Sequence, residues 1–368
     1  MDLSYSDEQR LLGESANNLL AARAQKPGAT DLWKEMADMG WLALPLPEKD
    51  GGLGQGIVDV GIVTEAMGRH RVRSNYVASV VLAGGLVSAL GNDAQRAALL
   101  PGLADGSLRV ALAHAEEGAR YNLSHVTTTA RQSGAGYVLD GRKTAALGGD
   151  VADRFIVSAR LSGGARDASG IGLFVVDKGA KGATVDGHAT VDGAGAARVT
   201  FDGVAVGADA LLSSDAFAAI QHAYDRATAA FCSELVGLME AATAATIEYT
   251  KIRIQFGKPL AVNQTLRHRM ADMSIACEEA RSMALRAALH ADDEDACARG
   301  RAIAGAWAKV SRSARFVAEQ SIQLHGGMGV TNELEIGGYL KRVVALDAIL
   351  GGPDLHLRRH VALTNLAA

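Results

Sequence analysis

Cysteines and aromatic residues are both scarce in this sequence. The first scarcity argues against cysteine-based metal sites and disulfides, and the second bears on how the helices pack. Its 368 residues include three cysteines, Cys232, Cys277 and Cys297, and none of them belongs to a CxxC pair. This spacing predicts neither a zinc site nor a disulfide framework, and no histidine cluster indicates another metal site. Aromatic residues make up only 5% of the chain, whereas alanine and glycine are abundant, which favours helices packed closely through small side chains.

Strong net charge and long apolar runs are lacking as well. The formal net charge is −4, which gives no electrostatic reason to expect nucleic-acid binding. The N-terminus lacks the basic-then-apolar pattern of a signal peptide. The longest uncharged stretch, residues 76–91, is too short and too interrupted by glycine to span a bilayer, so it predicts a buried helix. These features predict a soluble protein of the reducing cytoplasm.

Three regions of different pattern follow one another along the chain. Residues 1–110 are predicted to form an N-terminal helical domain that opens with a capping box at residues 6–9. Residues 111–214 carry short β-rich segments at the spacing of a β-sandwich or barrel. Residues 215–368 are predicted to form a C-terminal helical bundle, so the fold class is α+β. The predicted β segments are 126–130, 136–140, 154–159, 171–176 and 197–201.

Helical periodicity and glycine placement give further detail. In the C-terminal region one helix ends near Tyr249, a second covers residues 264–290, and a third runs from residue 302 to about residue 325. The glycine-rich run at residues 51–56 follows no clear strand and lacks the Lys-Ser/Thr of a P-loop. We interpret that run as a connection between elements.

A first motif occupies residues 249–260, where a helical pattern ends in a cation, an aromatic ring and a Gly-Lys-Pro turn. Arg253 offers a planar fork of donors suited to a pyrophosphate, and Gln255 offers a neutral donor. Phe256 offers an aromatic face to a ring. Taken alone, Arg253 is equally well explained as a solvated cation at a helix end.

A second motif occupies residues 323–329, about seventy residues further on. Gln323 can hydrogen-bond a nucleotide, while Gly326, Gly327 and Gly329 let backbone approach it without a Cβ in the way. An ordinary helix cap would also explain these glycines. The two motifs together, behind a β domain, favour a nucleotide site.

The order of the three regions and the two motifs resemble the acyl-CoA dehydrogenase family over essentially the whole chain. Residues 41–48 and 51–54 also resemble that family's N-terminal domain, and residues 328–333 and 355–360 resemble the small subunit of pimeloyl-CoA dehydrogenase and its relatives. The resemblance implies bound FAD, an acyl-CoA substrate, α,β-dehydrogenation and electron transfer to an electron-transfer flavoprotein. The FAD-binding residues it implies are Arg253, Gln255, Phe256, Gln323, Gly326 and Gly327.

The resemblance also carries an expectation about assembly. In that family the two motifs belong to different subunits that face one FAD. This implies a homo- or hetero-oligomer, either a dimer or a dimer of dimers.

The sequence departs from the family near the flavin ring. Residues 114–122 stand where the family has Thr-Glu-Pro-Gly-Ala-Gly-Ser-Asp, and only Glu116, Gly118 and Ala119 match clearly. Residues 143–147 lack the tryptophan often found beside the isoalloxazine. The flavin's nucleotide end is therefore better marked in this sequence than its redox end.

The catalytic base is unknown from the sequence. Gly351 and Ala227 occupy the two positions where the family places its glutamate, although the Gly351 N–H could still bind a thioester oxygen. Glu234 lies two helical turns, about ten ångströms, beyond Ala227. It is either a substitute base or a residue that pairs with a nearby cation or caps a buried polar network. Asp225 and Asp347 are weaker candidates because each points to a different face or turn.

Three functions follow from these observations. The first is an active FAD-dependent acyl-CoA dehydrogenase, alone or within a heteromeric enzyme. The second is a catalytically silent subunit that completes FAD sites for a partner carrying the glutamate. The third is a flavin oxidase of the same fold that acts on a non-thioester substrate.

Overall fold

Helices come first and last along the chain, and strands lie between them. The computed structural model describes residues 4–25, 31–331, 333–334 and 336–366. The first helices are α1 (Asp7–Gln25), α2 (Leu32–Asp38), α3 (Ile57–Arg69), α4 (Gly85–Leu90) and α5 (Asp93–Ala104). The strands that follow are β1 (Val110–Ala113), β2 (Thr129–Ser133), β3 (Gly136–Leu147), β4 (Arg154–Arg160), β5 (Ile171–Asp177), β6 (Ala183–Ala189), β7 (Gly195–Gly207) and β8 (Leu211–Ser213). The predicted helical, β, helical order is confirmed.

The C-terminal region begins with the long helix α6 (Phe217–Ile252) and a short hairpin. The hairpin strands are β9 (Ile254–Gln255) and β10 (Lys258–Pro259). The remaining helices are α7 (Gln264–His290), α8 (Ala296–His325), α9 (Ile336–Leu350) and α10 (Pro353–Leu366). Helix α7 has the predicted bounds. Helix α8 begins before the predicted residue 302 because Asp295 caps it, accepting hydrogen bonds from the N–H groups of Cys297 and Ala298.

The chain forms two compact units, each built from separate stretches. The first contains the described residues of Met1–Ala29, Ile57–Arg73 and Thr228–Ala368. The second contains the described residues of Thr30–Gly56 and Ser74–Ala227. The three consecutive domains predicted from the sequence, with boundaries near residues 110 and 214, follow the order of helices and strands along the chain. These domain boundaries stay a prediction.

Two local features of the N-terminal helices match the sequence analysis. Ser6 and Gln9 form the predicted capping box, since the Gln9 N–H donates to Ser6 Oγ and the Ser6 N–H donates to Gln9 Oε1. The apolar stretch Val77–Gly84 is a buried π-helical segment that continues into α4, as the prediction of a buried helix required. Both elements therefore form where local sequence favours them.

The second unit is organised around one sheet of eight strands. Its order is β6-β7-β3-β2-β4-β5-β8, and β1 pairs with β4 in parallel. Buried side chains such as Leu139, Phe155, Phe174 and Phe201 form its core. Strands β1, β6 and β8 were not predicted, because they are short or carry little apolar alternation.

Helices α3 and α6 cross in the first unit at almost backbone contact. A Cβ built on Gly68 would lie 1.9 Å from the Glu234 carbonyl oxygen, and one on Gly237 would lie 1.9 Å from the Glu65 carbonyl oxygen. Thr64 Oγ1 donates to a carbonyl oxygen of the facing helix at 2.9 Å. The small residues of both helices are therefore required by this close approach.

Four charged side chains close a ring beside this crossing. Arg69 Nη2 lies 2.6 Å from Glu65 Oε1 and 2.7 Å from Glu240 Oε2. Arg281 Nη1 lies 2.9 Å from Glu65 Oε2, and its Nη2 contacts Glu240 Oε1. The ring joins α3, α6 and α7 with alternating charges.

Helix α6 is the one helix among the described residues that is long and apolar enough to cross a membrane. Its most apolar window has a mean hydropathy of 1.3, and 72% of that window is buried inside the protein. Burial of this extent is typical of a core helix.

Candidate functional site

The first motif forms an exposed hairpin directly after α6. Strands β9 and β10 pair antiparallel, and Phe256 and Gly257 form the turn with φ angles of 52° and 78°. The Phe256 side chain is 99% exposed, although left-handed backbone is costly for a bulky residue. Within the described part of the chain, the Arg253 guanidinium has no ion-pair or hydrogen-bond partner, whereas the Gln255 amide donates to the neighbouring Ile254 carbonyl.

The second motif forms an open turn at the end of α8. Gly326 has a φ of 60°, and its N–H donates to the Gln323 carbonyl. A Cβ at Gly326 or Gly327 would meet no atom within 4 Å, so the backbone is accessible there. Gly329 differs, because its Cβ would lie 2.5 Å from the Ile322 carbonyl oxygen. Gly326 and Gly327 therefore suit ligand approach, and Gly329 serves packing.

One chain brings the two motifs together. The Tyr249 ring stacks on the His325 ring at 4.2 Å between centroids, and the Tyr249 hydroxyl donates to the His325 carbonyl at 3.3 Å. Arg253 follows Tyr249 by one helical turn, and Gly326 follows His325 directly. Side-chain stacking therefore joins these two helix ends within one chain, and the expectation that the two motifs belong to different subunits facing one FAD stays a prediction.

The chemistry of this region fits a dinucleotide such as FAD. The Arg253 guanidinium suits a phosphate, and the Phe256 ring suits a flat heterocycle. The open backbone at Gly326 and Gly327 admits a ligand at close range. Burial lowers the pKa of His325, whose Nδ1–H donates to the Ser321 carbonyl, so this histidine supports the turn as a neutral group.

Of the two positions expected for a catalytic glutamate, Gly351 has both backbone polar groups hydrogen-bonded and Ala227 is buried. The Gly351 N–H donates to the Asp347 carbonyl at 2.9 Å, and the Gly351 carbonyl accepts from Trp307 Nε1 at 2.8 Å. The expectation that the Gly351 N–H is available for a thioester oxygen is therefore wrong in this structure, because the end of α9 uses it. Ala227 and Asp225 are both buried on α6.

The substitute carboxylates are engaged by arginines. Arg342 Nε lies 2.6 Å from Glu234 Oε1, and Arg342 Nη2 lies 3.0 Å from Glu234 Oε2. Both side chains are largely buried, and the guanidinium also faces the Phe231 ring. Asp347 accepts from Arg315 at 2.7 Å. Glu234 is thus the partner of a cation, which was the competing interpretation.

The divergent segment at residues 114–122 is anchored by a buried polar network. Lys143 Nζ lies 2.6 Å from Glu116 Oε1 and 2.9 Å from Ser158 Oγ. Glu116 Oε2 accepts from the Thr127 N–H at 2.6 Å and from the Thr127 hydroxyl. His114 Nδ1 lies 2.9 Å from Ser158 Oγ. The network joins the segment to strands β3 and β4.

Burial and mutual charge set the protonation of this network. Burial alone would raise the pKa of Glu116, but the Lys143 charge and several hydrogen bonds lower it. Burial lowers the pKa of Lys143, against the opposing effect of Glu116. Burial and the Lys143 charge lower the pKa of His114 to about 3, so its ring is neutral near pH 7.

The tip of this segment has an unusual backbone. Arg120 and Tyr121 have φ angles of 45° and 69°, in the left-handed region that glycine prefers. The Asn122 side chain accepts from the N–H and hydroxyl of Ser124, which stabilises the turn after them. Tyr121 is 48% exposed. The family's glycine at position 120 is thus replaced by a strained arginine.

Sequence reasoning missed three members of this region. Lys143 and Ser158 hold Glu116 and His114 in place, and Arg160 donates to the carbonyls of the flanking loops, among them Ser124 at 2.8 Å. Lys143 lies three residues beyond the predicted strand at residues 136–140, so the strand pattern did not indicate its burial. Within the observed β3, a fully buried lysine signals a buried acid, because an unpaired charge is costly inside a protein.

Three family models match the chain in the order of its regions. They are described as the N-terminal domain of acyl-CoA dehydrogenase at residues 6–107, its middle domain at residues 111–204 and its C-terminal domain at residues 217–364. The predicted fold class is confirmed by these matches and by the observed architecture.

Individual proteins show the same likeness. "Acyl-CoA dehydrogenase fadE12" of Mycobacterium bovis is 31% identical over 320 residues, which cover 84% of this chain and 81% of that protein. A solved structure described as an FAD-dependent dehydrogenase superposes with a TM-score of 0.90 at 26% identity over both full chains. The ChsE4-ChsE5 complex from Mycobacterium tuberculosis gives a TM-score of 0.84 at 24% identity, over 98% of this chain and 97% of that chain.

Proposed function

The chain belongs to the acyl-CoA dehydrogenase family, and from this premise we propose that it acts on an acyl-CoA thioester as one subunit of a heteromeric dehydrogenase. Its fold is that of the FAD-dependent members, and FAD is its cofactor. When bound, FAD would supply the acceptor for the hydride that leaves the β-carbon of the substrate. In this proposal the electrons then pass to an electron-transfer flavoprotein in the cytoplasm.

The two exposed motifs hold the nucleotide end of FAD in this proposal. Arg253 would donate to the pyrophosphate, Phe256 would offer its face to a ring, and Gln323 would hydrogen-bond the nucleotide beside Gly326 and Gly327. Their exposure supports a site completed by a second subunit, because a fully exposed phenylalanine in left-handed backbone gains stability only when something covers it.

The heteromeric assignment depends on three described positions, Gly351, Ala227 and Glu234, none of which offers an available base. Gly351 and Ala227 have no carboxylate, and Glu234 is held in a two-point ion pair by Arg342. A thioester α-proton is weakly acidic, and a positioned base contributes about 10²–10⁴-fold to its removal. A partner subunit that carries the glutamate would supply this factor.

Two further observations support this assignment. One solved protein with this fold is itself a complex of two different chains. The resemblance of residues 355–360 to the small subunit of pimeloyl-CoA dehydrogenase favours a dicarboxylyl-CoA or another unusual acyl-CoA as substrate.

The test compares the chain alone with the chain co-expressed with a second acyl-CoA dehydrogenase chain that carries the family's glutamate. Flavin content and anaerobic bleaching by a panel of acyl-CoA thioesters are measured for both preparations. We expect the co-expressed complex to bleach and the chain alone to bleach at least about 100-fold more slowly. Ordinary turnover by the chain alone would refute the heteromeric assignment, and peroxide formation from a non-thioester substrate would favour the flavin oxidase.

A matched pair of variants sharpens the test. Gly351→Glu restores a carboxylate, and Gly351→Gln has nearly the same shape and the same backbone strain at a φ of 91° without a base. We expect Gly351→Glu alone to speed bleaching relative to Gly351→Gln. Equal rates for the two variants would contradict a missing base at this position.

A further inference from the structure

The ion pair between Lys143 and Glu116 is the most deeply buried one among the described residues. Its two side chains are 0% and 2% exposed. Burying two charges costs more than burying apolar side chains of similar size, so such a pair is weak evidence for stability alone. The position of the pair in the fold explains its burial better than a contribution to stability does.

The pair closes a loop and ties it to the sheet. Glu116 lies after β1, and its carboxylate accepts from the N–H groups of Thr127 and Thr128, just before β2. Lys143 on β3 binds the same carboxylate and also Ser158 on β4. The start and end of the loop at residues 116–127 are therefore fixed at one buried point.

Closing the loop holds Arg120 and Tyr121 in a backbone conformation that a free loop would not keep. Arg120 and Tyr121 both have left-handed φ angles, which are unfavourable for residues with a Cβ. Such strain persists only where the surrounding structure over-determines the backbone. The hydrogen bonds at Glu116 on one side and Asn122 on the other supply that constraint.

We propose that Lys143 and Glu116 are positioning residues that hold the loop at residues 117–122 in the geometry in which it contacts the flavin. The inference rests on the proposed function, because residues 114–122 correspond to the segment that lies near the flavin ring in the acyl-CoA dehydrogenase family. The pair acts through the loop backbone and does not itself touch the cofactor.

The experiment measures FAD binding to the apoprotein of Lys143→Met, Glu116→Gln and the double variant. The dissociation constant is obtained by flavin fluorescence, and the visible circular dichroism of bound FAD reports its surroundings. Arg131→Met is the matched control, because Arg131 pairs with Asp140 at 2.6 Å in the same sheet but is exposed. Thermal unfolding of each apoprotein is recorded in parallel.

Both single variants should weaken FAD binding by about tenfold or more and change the flavin circular dichroism, because they leave a buried charge without its partner. The control should remain within about twofold of the wild type. The double variant should recover the apoprotein unfolding temperature, since no unpaired charge remains, yet still bind FAD weakly. Recovery of both properties would mean that the pair only balances charge, which would overturn the inference.

A milder substitution covers the case in which the single variants do not fold. Thr127→Val removes one hydrogen bond to Glu116 and leaves the ion pair in place, so FAD binding should weaken by about threefold to tenfold. Unchanged binding and circular dichroism would overturn the inference while leaving the proposed function intact. A wild-type protein that binds no FAD would refute the proposed function and the inference with it.

Discussion

Replacing Gly237 by alanine tests the crossing of α3 and α6 most directly. The new Cβ would lie 1.9 Å from the Glu65 carbonyl oxygen, and approaches below 3.0 Å are essentially never found. The obstacle is backbone of a facing helix, so no side-chain rotation can relieve it. The two helices must therefore move apart by about 1 Å. A gap of that size lowers the dispersion energy of each contact between them by about a quarter to a half.

The expected cost follows from overpacking. An added methyl group in a well-packed core costs about 1–3 kcal/mol and occasionally more. Since the clash is with backbone, we expect Gly237→Ala to lose about 3 kcal/mol or more. Gly338 in α9 is the matched control, because a Cβ there meets no atom within 4 Å. Gly338→Ala should stabilise the protein by up to about 1 kcal/mol through helix propensity.

The assay is urea unfolding of both variants and the wild type, followed by circular dichroism. The transition midpoint should fall for Gly237→Ala and rise or stay unchanged for Gly338→Ala. A Gly237→Ala midpoint equal to that of the wild type would refute the backbone contact between the two helices.

Three further predictions concern single interactions. Trp307→Phe removes the donor to the Gly351 carbonyl while keeping an aromatic ring, and should cost about 1–3 kcal/mol in thermal unfolding. Arg342→Met leaves the largely buried Glu234 carboxylate without its cation and should cost about 3–5 kcal/mol, whereas Arg342→Met combined with Glu234→Gln should recover much of that loss. His114 is neutral when folded because burial lowers its pKa to about 3, so only the unfolded chain gains its proton as the pH falls below 6.5. The unfolding free energy should therefore fall by up to about 1.4 kcal/mol per pH unit between pH 6.5 and 4.5, and His114→Gln should flatten this dependence.

Local sequence determined the elements that could be predicted. The bounds of α7 follow from apolar periodicity, and the capping box at Ser6 and Gln9 is a contact between residues three apart. The open glycines at Gly326 and Gly327 were recognisable from their spacing alone. All of these features depend on neighbours along the chain.

Long-range partners could not be predicted in the same way. Glu234 and Arg342 are 108 residues apart, and Trp307 and Gly351 are 44 apart. Such pairs form only after the helices have packed, so sequence spacing does not indicate them. The same applies to the left-handed backbone at Arg120, which local preference alone would disfavour.

The closed ring of Glu65, Arg69, Glu240 and Arg281 has a consequence for how this protein can change over evolutionary time. Each charge contacts two of opposite sign, so reversing any one charge places like charges at two contacts. A single reversal makes two contacts repulsive, and exchanging one acid with one base also leaves two like-charged contacts, so only reversal of all four charges restores the alternation. These four positions should therefore vary as a set among related chains.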